Sequence, residues 1–241
     1  MKNQNLKISL VICAYNEEKY LGDCLDYAIK NSHAQFHEIL VIDNASTDGT
    51  KVIAEERLGV RVIREEKKGL TRARQRGFLE ATGDILAYID ADTHMPEGWV
   101  ERIFTEFRAS DELACLSGPY VYYDISKFQQ FLVKVYWLFA MPIYWMVGYM
   151  VVGGNFAIRK TTLEKMKGFD TTIEFYGEDT NIARRSAEFG KVKFMLSNVM
   201  YTSGRRLIKQ GIFSTFKEYL TNFASEIFTH KPTTKEYKDF R

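Results

Sequence analysis

Short apolar runs alternate with polar turns through the first half of this chain, and their spacing predicts elements before any residue chemistry is considered. Lys7–Cys13, His37–Ile42, Val60–Arg64 and Asp84–Ile89 are dense in Ile, Val and Leu and are bounded by turn residues, so they read as buried strands. Between them, Glu17–Asn31 carries Tyr20, Leu21, Cys24, Leu25 and Ala28 at helical spacing, Thr50–Leu58 reads as a second helix, and Leu70–Ala81 as a basic third. This alternation predicts a single-domain α/β fold with a mostly parallel, open sheet flanked by helices. Such sheets bind ligands beyond the carboxyl ends of their strands. Tyr15, Asn16, Asp43, Asp48, Asp90 and Asp92 all fall at such ends.

The second half reads differently. Trp99–Ser110 is predicted as a helix, Ala114–Tyr123 as a strand, Gly153-Gly154-Asn155 as a flexible loop before Phe156–Arg159, Glu178–Phe189 as a short helix and Val192–Met195 as a late strand. Phe131–Val152 is apolar, aromatic and long enough to cross a bilayer, but Lys134, Pro142 and Gly148 interrupt it. If its flanks build one site, a crossing would split that site between two faces of a membrane. A buried or interfacial helix is therefore expected. Near the end, Ile208, Ile212, Phe213, Phe216, Leu220, Phe223, Ile227 and Phe228 recur at helical spacing. Arg205–Arg241 holds eight Lys/Arg and four Asp/Glu, so this end is positive. Two readings of that stripe stand: packing on the domain or a partner, and peripheral contact with an anionic membrane surface. The division expected is a nucleotide-binding and catalytic domain over 1–206 with an amphipathic helical extension over 207–241.

Composition narrows the classes. The 241 residues suffice for a core without disulfides. A net charge of +2 gives no argument for nucleic acid as a partner. Three cysteines, Cys13, Cys24 and Cys115, form neither a metal-ligand spacing nor an even framework, which suits a reduced, cytoplasmic setting. Met1–Asn5 is polar and leads into a strand with no small-residue cleavage site, so no secretory leader is expected.

Four constellations carry candidate chemistry. In Asp90-Ala91-Asp92, residues two apart in extended chain point the same way, so both carboxylates can meet one divalent cation; two solvated turn carboxylates are the bland alternative. Ala14-Tyr15-Asn16-Glu17-Glu18 offers a ring for base stacking, or simply a helix start with Asn16 as N-cap. Asp43–Thr50 is dense in short polar side chains, where Asp43 could accept from a base or ribose, or serve turn chemistry. Gly69–Gly77 places Arg72 and Arg76 on one helical face with Arg74 turned away; they suit a diphosphate or form a solvated basic face.

Taken in order, Ala14–Glu17, Ile42–Thr50, Gly69–Gly77, Asp90-Ala91-Asp92, Gly153-Gly154-Asn155 and Glu178-Asp179 resemble the motifs of the inverting family-two glycosyltransferases, a single-domain GT-A fold, across roughly residues 8 to 206. The resemblance implies a nucleotide-diphosphate sugar as donor, with a UDP-sugar expected, and a glycan or lipid-linked acceptor. It implies donor contacts from Cys13, Tyr15, Glu17, Asp43, Arg72, Arg76, Asp90, Ala91, Asp92, Gly154, Glu178 and Arg205. Asp90 and Asp92 match the positions that meet Mg2+ or Mn2+, Asp92 the more direct ligand. Asp179 matches the catalytic base. Inverting transfer needs such a separation: a base takes the proton of an attacking hydroxyl while a cation meets charge on the departing diphosphate. Acidic residues opening a helix are also favoured by its dipole, which is the other reading of Glu178-Asp179.

One departure matters. Processive synthases of this family carry Gln-x-x-Arg-Trp, whereas here the late region reads Tyr201-Thr202-Ser203-Gly204-Arg205-Arg206, so a single-addition transferase is expected. Two rivals remain: a sugar nucleotidyltransferase, disfavoured because no basic glycine-rich loop follows the first strand, and a catalytically idle sugar-nucleotide-binding or scaffold protein.

Overall fold

The computed structural model describes residues 5–173 and 177–229. Its first layer is built from β1 (Ile8–Ala14), α1 (Leu21–Asn31), β2 (Glu38–Asp43), α2 (Thr50–Glu55), β3 (Val60–Arg64), α3 (Leu70–Glu80) and β4 (Ile85–Asp90). A short β5 (Thr93–His94), α4 (Trp99–Ala109), β6 (Leu113–Ser117), β7 (Tyr120–Tyr122) and the long α5 (Lys127–Val147) follow. The chain continues through β8 (Asn155–Arg159), α6 (Lys160–Lys165), α7 (Glu178–Ala187), β9 (Lys191–Phe194), β10 (Met200–Thr202), α8 (Arg205–Gln210) and α9 (Ile212–Thr229).

Seven strands form the central sheet in the order β3-β2-β1-β4-β8-β6-β9, and β5-β10-β7 form a second, small sheet. The pairs among β1 to β4 are parallel, as right-handed crossovers through helices require, and β6 pairs β9 in parallel. Within the central sheet, among the described residues, only β8 runs antiparallel to its neighbours β4 and β6. That reversal brings the start of β8 to the same edge as the carboxyl ends of β1, β2 and β4. Strands buried on both faces explain the near-continuous apolar runs: β1 and β4 pack Ile8, Leu10, Ile12, Ile85, Ala87 and Ile89 on one face and Val11, Leu86 and Tyr88 on the other.

Several expected boundaries move, each for a local reason. The helix expected from Glu17 begins at Leu21, because Asn16 has φ 51° and the Glu17 carbonyl first accepts the N–H groups of Tyr20 and Leu21 in a turn. Thr50–Leu58 shortens to α2 ending at Glu55. Ala114–Tyr123 is two strands in two sheets. Pro119 offers no N–H to a ladder, and Gly118 lies so close to the Asn198 carbonyl that a Cβ would overlap it. Phe131–Val152 becomes α5, opened by a Ser126–Gln129 capping box and closed by left-handed Gly148. It is largely not buried; only Val133 and Ala140 are.

The boundary expected at 206/207 falls inside α8. Leu207 is buried and clusters with Ile125 and Val133, joined by Ile212 and Phe216, while Ile208 is 56% exposed. Phe216 stacks on Tyr136 of α5 at 4.6 Å, so this part of the extension packs on the domain. The side chains of Phe213, Leu220, Phe223, Ile227 and Phe228, and all of residues 230–241, lie outside the described residues.

Candidate active site

A cavity of about 450 Å3 opens at the carboxyl edge of the central sheet, between it and α5, α7, α8 and α9. One wall is polar and charged: Cys13, Glu17, Arg74, Asp90, Ala91, Asp92, Gly153, Gly154, Glu178, Asp179 and Arg205. The other is largely apolar and aromatic, with Val133, Tyr136, Trp137, Ile143, Leu207 and Phe216. Nine of the expected residues meet here: Cys13, Glu17, Asp90, Ala91, Asp92, Gly154, Glu178, Asp179 and Arg205.

The chain reaches this geometry through strand ends. Asp90 closes β4, and its Oδ2 accepts from the Tyr120 hydroxyl at 2.7 Å. Asp92, 8% exposed, lies in the following turn; its Oδ1 accepts from Thr202 Oγ1 at 3.3 Å, and its Oδ2 lies 2.9 Å from Arg205 Nη2. Burial pushes the Asp92 carboxyl up to about 7, with Arg205 opposing and Asp90 and Glu17 adding to the rise. Arg205 also donates both guanidinium arms to Glu17, at 2.6 and 2.8 Å. Burial opposes its charge, yet those carboxylates hold its pKa above the usual value. The segment bearing Arg205 is clasped from behind by Asp124, which accepts from Ser203 Oγ at 2.6 Å and from the Gly204 N–H.

Gly153 and Gly154 form the tight turn into β8, closed by the Asn155 N–H on the Val152 carbonyl at 2.9 Å. A Cβ on Gly154 would overlap Tyr120 Oη and the Asp90 carboxylate, and one on Gly153 would overlap Glu178. The glycines are there because the carboxylates come that close to backbone. Asn155 is fully buried, accepts from Trp99 Nε1 at 2.9 Å and donates to the Asn198 carbonyl at 2.7 Å. It fixes the turn to α4 and to the segment before β10.

At the start of α7, Glu178 is buried and ion-paired with Arg74. Burial pushes its carboxyl up to about 8, with Arg74 opposing. Asp179 is half-buried and accepts from the Thr180 N–H at 2.8 Å. Burial raises its pKa, against the Thr180 N–H and Arg74. Gly177, φ 78°, turns the chain into α7.

The arginines of α3 divide between two surroundings. The cavity receives Arg74, which is 2% exposed, donates to the Gly153 carbonyl at 2.6 Å and stands 3.8 Å from Asp90. Arg72 and Arg76 do not line it; Arg76 pairs instead with Glu80 at 3.0 Å. Helical spacing held the missed signal, because Thr71, Arg74, Gly77 and Phe78 share the face that α3 buries on the sheet. Tyr15 and Asp43 stand at the neighbouring ends of β1 and β2, outside the cavity lining. Lys68 Nζ sits 3.9 Å over the Tyr15 ring, and Asp43, fully buried, pairs with Arg64 at 2.5 Å. Tyr120 is a further site residue that periodicity alone did not mark.

Asp90 and Asp92 are the residues that could hold a divalent cation. Asp92 is a buried carboxylate whose proton affinity is raised by lack of solvent, which fits a cation nearby. Among the described residues no group of three or more His, Cys, Asp or Glu is placed to hold a metal. A hard cation here would therefore take its remaining ligands from water and from phosphate oxygens of a bound nucleotide.

The sequence model of glycosyl transferase family 2 matches residues 9–167 of this chain. Glycosyltransferase AglE of Haloferax volcanii is 34% identical over 102 residues, which is 39% of this chain and 33% of that protein. The chain thus spans about a third of that relative's length. A mannosyltransferase from Pyrobaculum calidifontis, solved with GDP-Man and Mn2+, superposes with TM-score 0.69 at 20% identity, covering 95% of this chain and 66% of that one. Glucosyl-3-phosphoglycerate synthase from Mycobacterium tuberculosis, solved with Mn2+, UDP-glucose and phosphoglyceric acid, gives 0.64 at 20% identity, covering 92% and 79%. At these identities the two structures show the fold.

Proposed function

The chain belongs to glycosyl transferase family 2, and on that footing we propose that it transfers a sugar, with inversion, from a nucleotide-diphosphate sugar to an acceptor hydroxyl, using Asp179 as base. The observation that carries this reading is the separation of two acidic groups across one cavity: Asp90 and Asp92 on the turn after β4, and Asp179 at the start of α7. One pair suits the departing diphosphate and the other carboxylate suits the attacking hydroxyl.

In the proposed step Asp179 takes the acceptor proton as the acceptor oxygen forms a bond to the anomeric carbon and the bond to the diphosphate oxygen breaks. The raised pKa of Asp179 makes it a better base than a solvated carboxylate. Arg74 and Arg205 supply fixed positive charge along the same wall. Mg2+ or Mn2+ at Asp90 and Asp92, when bound, would offset charge on the leaving diphosphate. Tyr15 and Asp43, at the ends of β1 and β2, are the proposed nucleoside contacts, which requires Lys68 to leave the Tyr15 ring. A cytoplasmic setting belongs to the same proposal and is supported by three cysteines that are all free.

Calorimetric titration of UDP- and GDP-sugars with Mn2+ or Mg2+, UDP-sugars first, tests the donor assignment. Asp92→Asn should remove metal-dependent donor binding, whereas Asp179→Asn should keep binding and stop transfer. Transfer at near wild-type rate by the Asp179→Asn protein would overturn the base assignment. An idle sugar-nucleotide-binding protein would bind donor and release no nucleoside diphosphate with any acceptor.

A further inference from the structure

The two faces of α5 have different surroundings. One closes the cavity with Val133, Trp137 and Ile143. The other carries Phe131, Leu138, Trp145 and Met146 outward, 60%, 65%, 71% and 80% exposed. Phe131, Leu138 and Trp145 are successively two helical turns apart, so they form one row. A contiguous row of large apolar side chains outside a folded domain marks an interaction surface.

Charge narrows what covers it. Lys127 and Lys134 are exposed on this helix, which holds no Asp or Glu from Lys127 to Val147. That pattern suits a partner surface that bears negative charge and accepts aromatic side chains. Topology narrows it further. By length and composition α5 could cross a bilayer, but β6 before it and β8 after it are antiparallel neighbours in one sheet. The chain therefore leaves and returns on the same side, and α5 can only lie along a bilayer. Its Trp and Phe side chains suit the headgroup boundary, and its lysines suit anionic lipids.

The cavity continues this asymmetry. From the carboxylates it extends along a wall contributed by α5 and α9 that is mostly aliphatic and aromatic, with Val133, Trp137, Ala140, Ile143 and Phe216, and with Tyr219 and Asn222 as polar members. We infer that α5 rests on an anionic lipid surface and that the acceptor is a lipid-linked amphiphile, its hydroxyl meeting Asp179 and its apolar stem lying along α5. The acceptor half rests on the transfer reading above; the lipid contact does not.

The test uses the full chain and vesicles of phosphatidylcholine with or without phosphatidylglycerol, at low salt. Wild-type protein should sediment with the anionic vesicles, and F131S/L138S/M146S and K127E/K134E should each bind them roughly tenfold more weakly. Brominated lipid should quench fluorescence in the wild type and far less in W145F. Failure of wild-type binding, or unchanged binding by F131S/L138S/M146S, overturns the contact. So does concentration-dependent dimerisation that this triple variant abolishes, because a second copy would then cover the row. For the acceptor, dodecyl glucoside should stimulate nucleoside-diphosphate release and glucose should not; equal stimulation by both, or none by the chain-bearing probe, overturns the amphiphile assignment. Sugar-nucleotide binding is measured on the same preparations. Its loss in the wild type overturns the transfer reading, and vesicle failure with donor binding intact overturns the lipid inference alone.

Discussion

Replacing Arg74 by Met removes the charge facing Glu178 while keeping much of the stem's volume. Both partners are buried, at 2% and 7% exposure, and Arg74 also holds the Gly153 carbonyl at 2.6 Å. Removing one member of a buried ion pair costs about 3–5 kcal/mol, because the remaining charge has no counter-ion. For a chain of this size about 1 kcal/mol moves Tm by 2–4 °C, so Arg74→Met should melt roughly 6–20 °C lower where Glu178 is ionised. The sign with pH follows from the direction of the shift. Glu178 is raised from 4.5 to about 8, so between those values the native state holds a proton that the unfolded chain has released. Its contribution is most favourable below that window and declines as pH rises through it, by at most about 1.4 kcal/mol per pH unit. Without Arg74 the rise goes further and the window extends upward. The Arg74→Met deficit should therefore grow between about pH 6 and about pH 9. Arg74→Met/Glu178→Gln should lose that added dependence and recover much of the stability. Circular-dichroism melts of the four proteins at both pH values make a double-mutant cycle. If the double variant's loss equals the sum of the singles at both values, the pair is not coupled and the argument fails.

Gly154→Ala should lower Tm by an overpacking cost of about 1–3 kcal/mol and abolish sugar-nucleotide binding by calorimetry, because its Cβ would overlap Tyr120 and Asp90. Unchanged binding would show that the approach is not needed. Asn155→Ala strands the buried Trp99 N–H and should cost about 1–3 kcal/mol in urea unfolding, with no change in m-value. The raised pKa of Asp179 predicts a single-turnover transfer rate that falls as pH drops, with a midpoint above about 3.9, the ordinary Asp value. A rate that stays flat down to that value would remove Asp179 from the proton transfer.

The parallel half of the sheet was legible because its strands are buried on both faces. A run such as Ile85–Ile89 carries its own signal, and turn residues mark where ligands gather. Short elements were not: β5 and β10, of two and three residues, have no period to read, and they hold the Thr202 that meets Asp92. Nor does period 3.6 distinguish a buried arginine from a surface one unless its apolar neighbours are counted. Reading Arg72 and Arg76 as a pair obscured that Arg74 shares its face with Thr71 and Phe78. The clasp of Asp124 on Ser203 and Gly204 joins residues far apart in sequence, and no local pattern encodes it.

The course of the chain between Tyr122 of β7 and Asn155 of β8 has one further consequence. The stretch contributes no strand to either sheet, and its ends are anchored by β7 in the small sheet and β8 in the large one. Exchanging only its 126–148 part leaves Asp124, the Gly153-Gly154 turn and every strand register in place, while replacing α5 and one wall of the cavity. The opposite wall, made at the ends of β1 and β4, is tied to the core and tolerates no such exchange. The two walls are thus free to diversify at different rates, and chains sharing this sheet can differ most in what α5 presents.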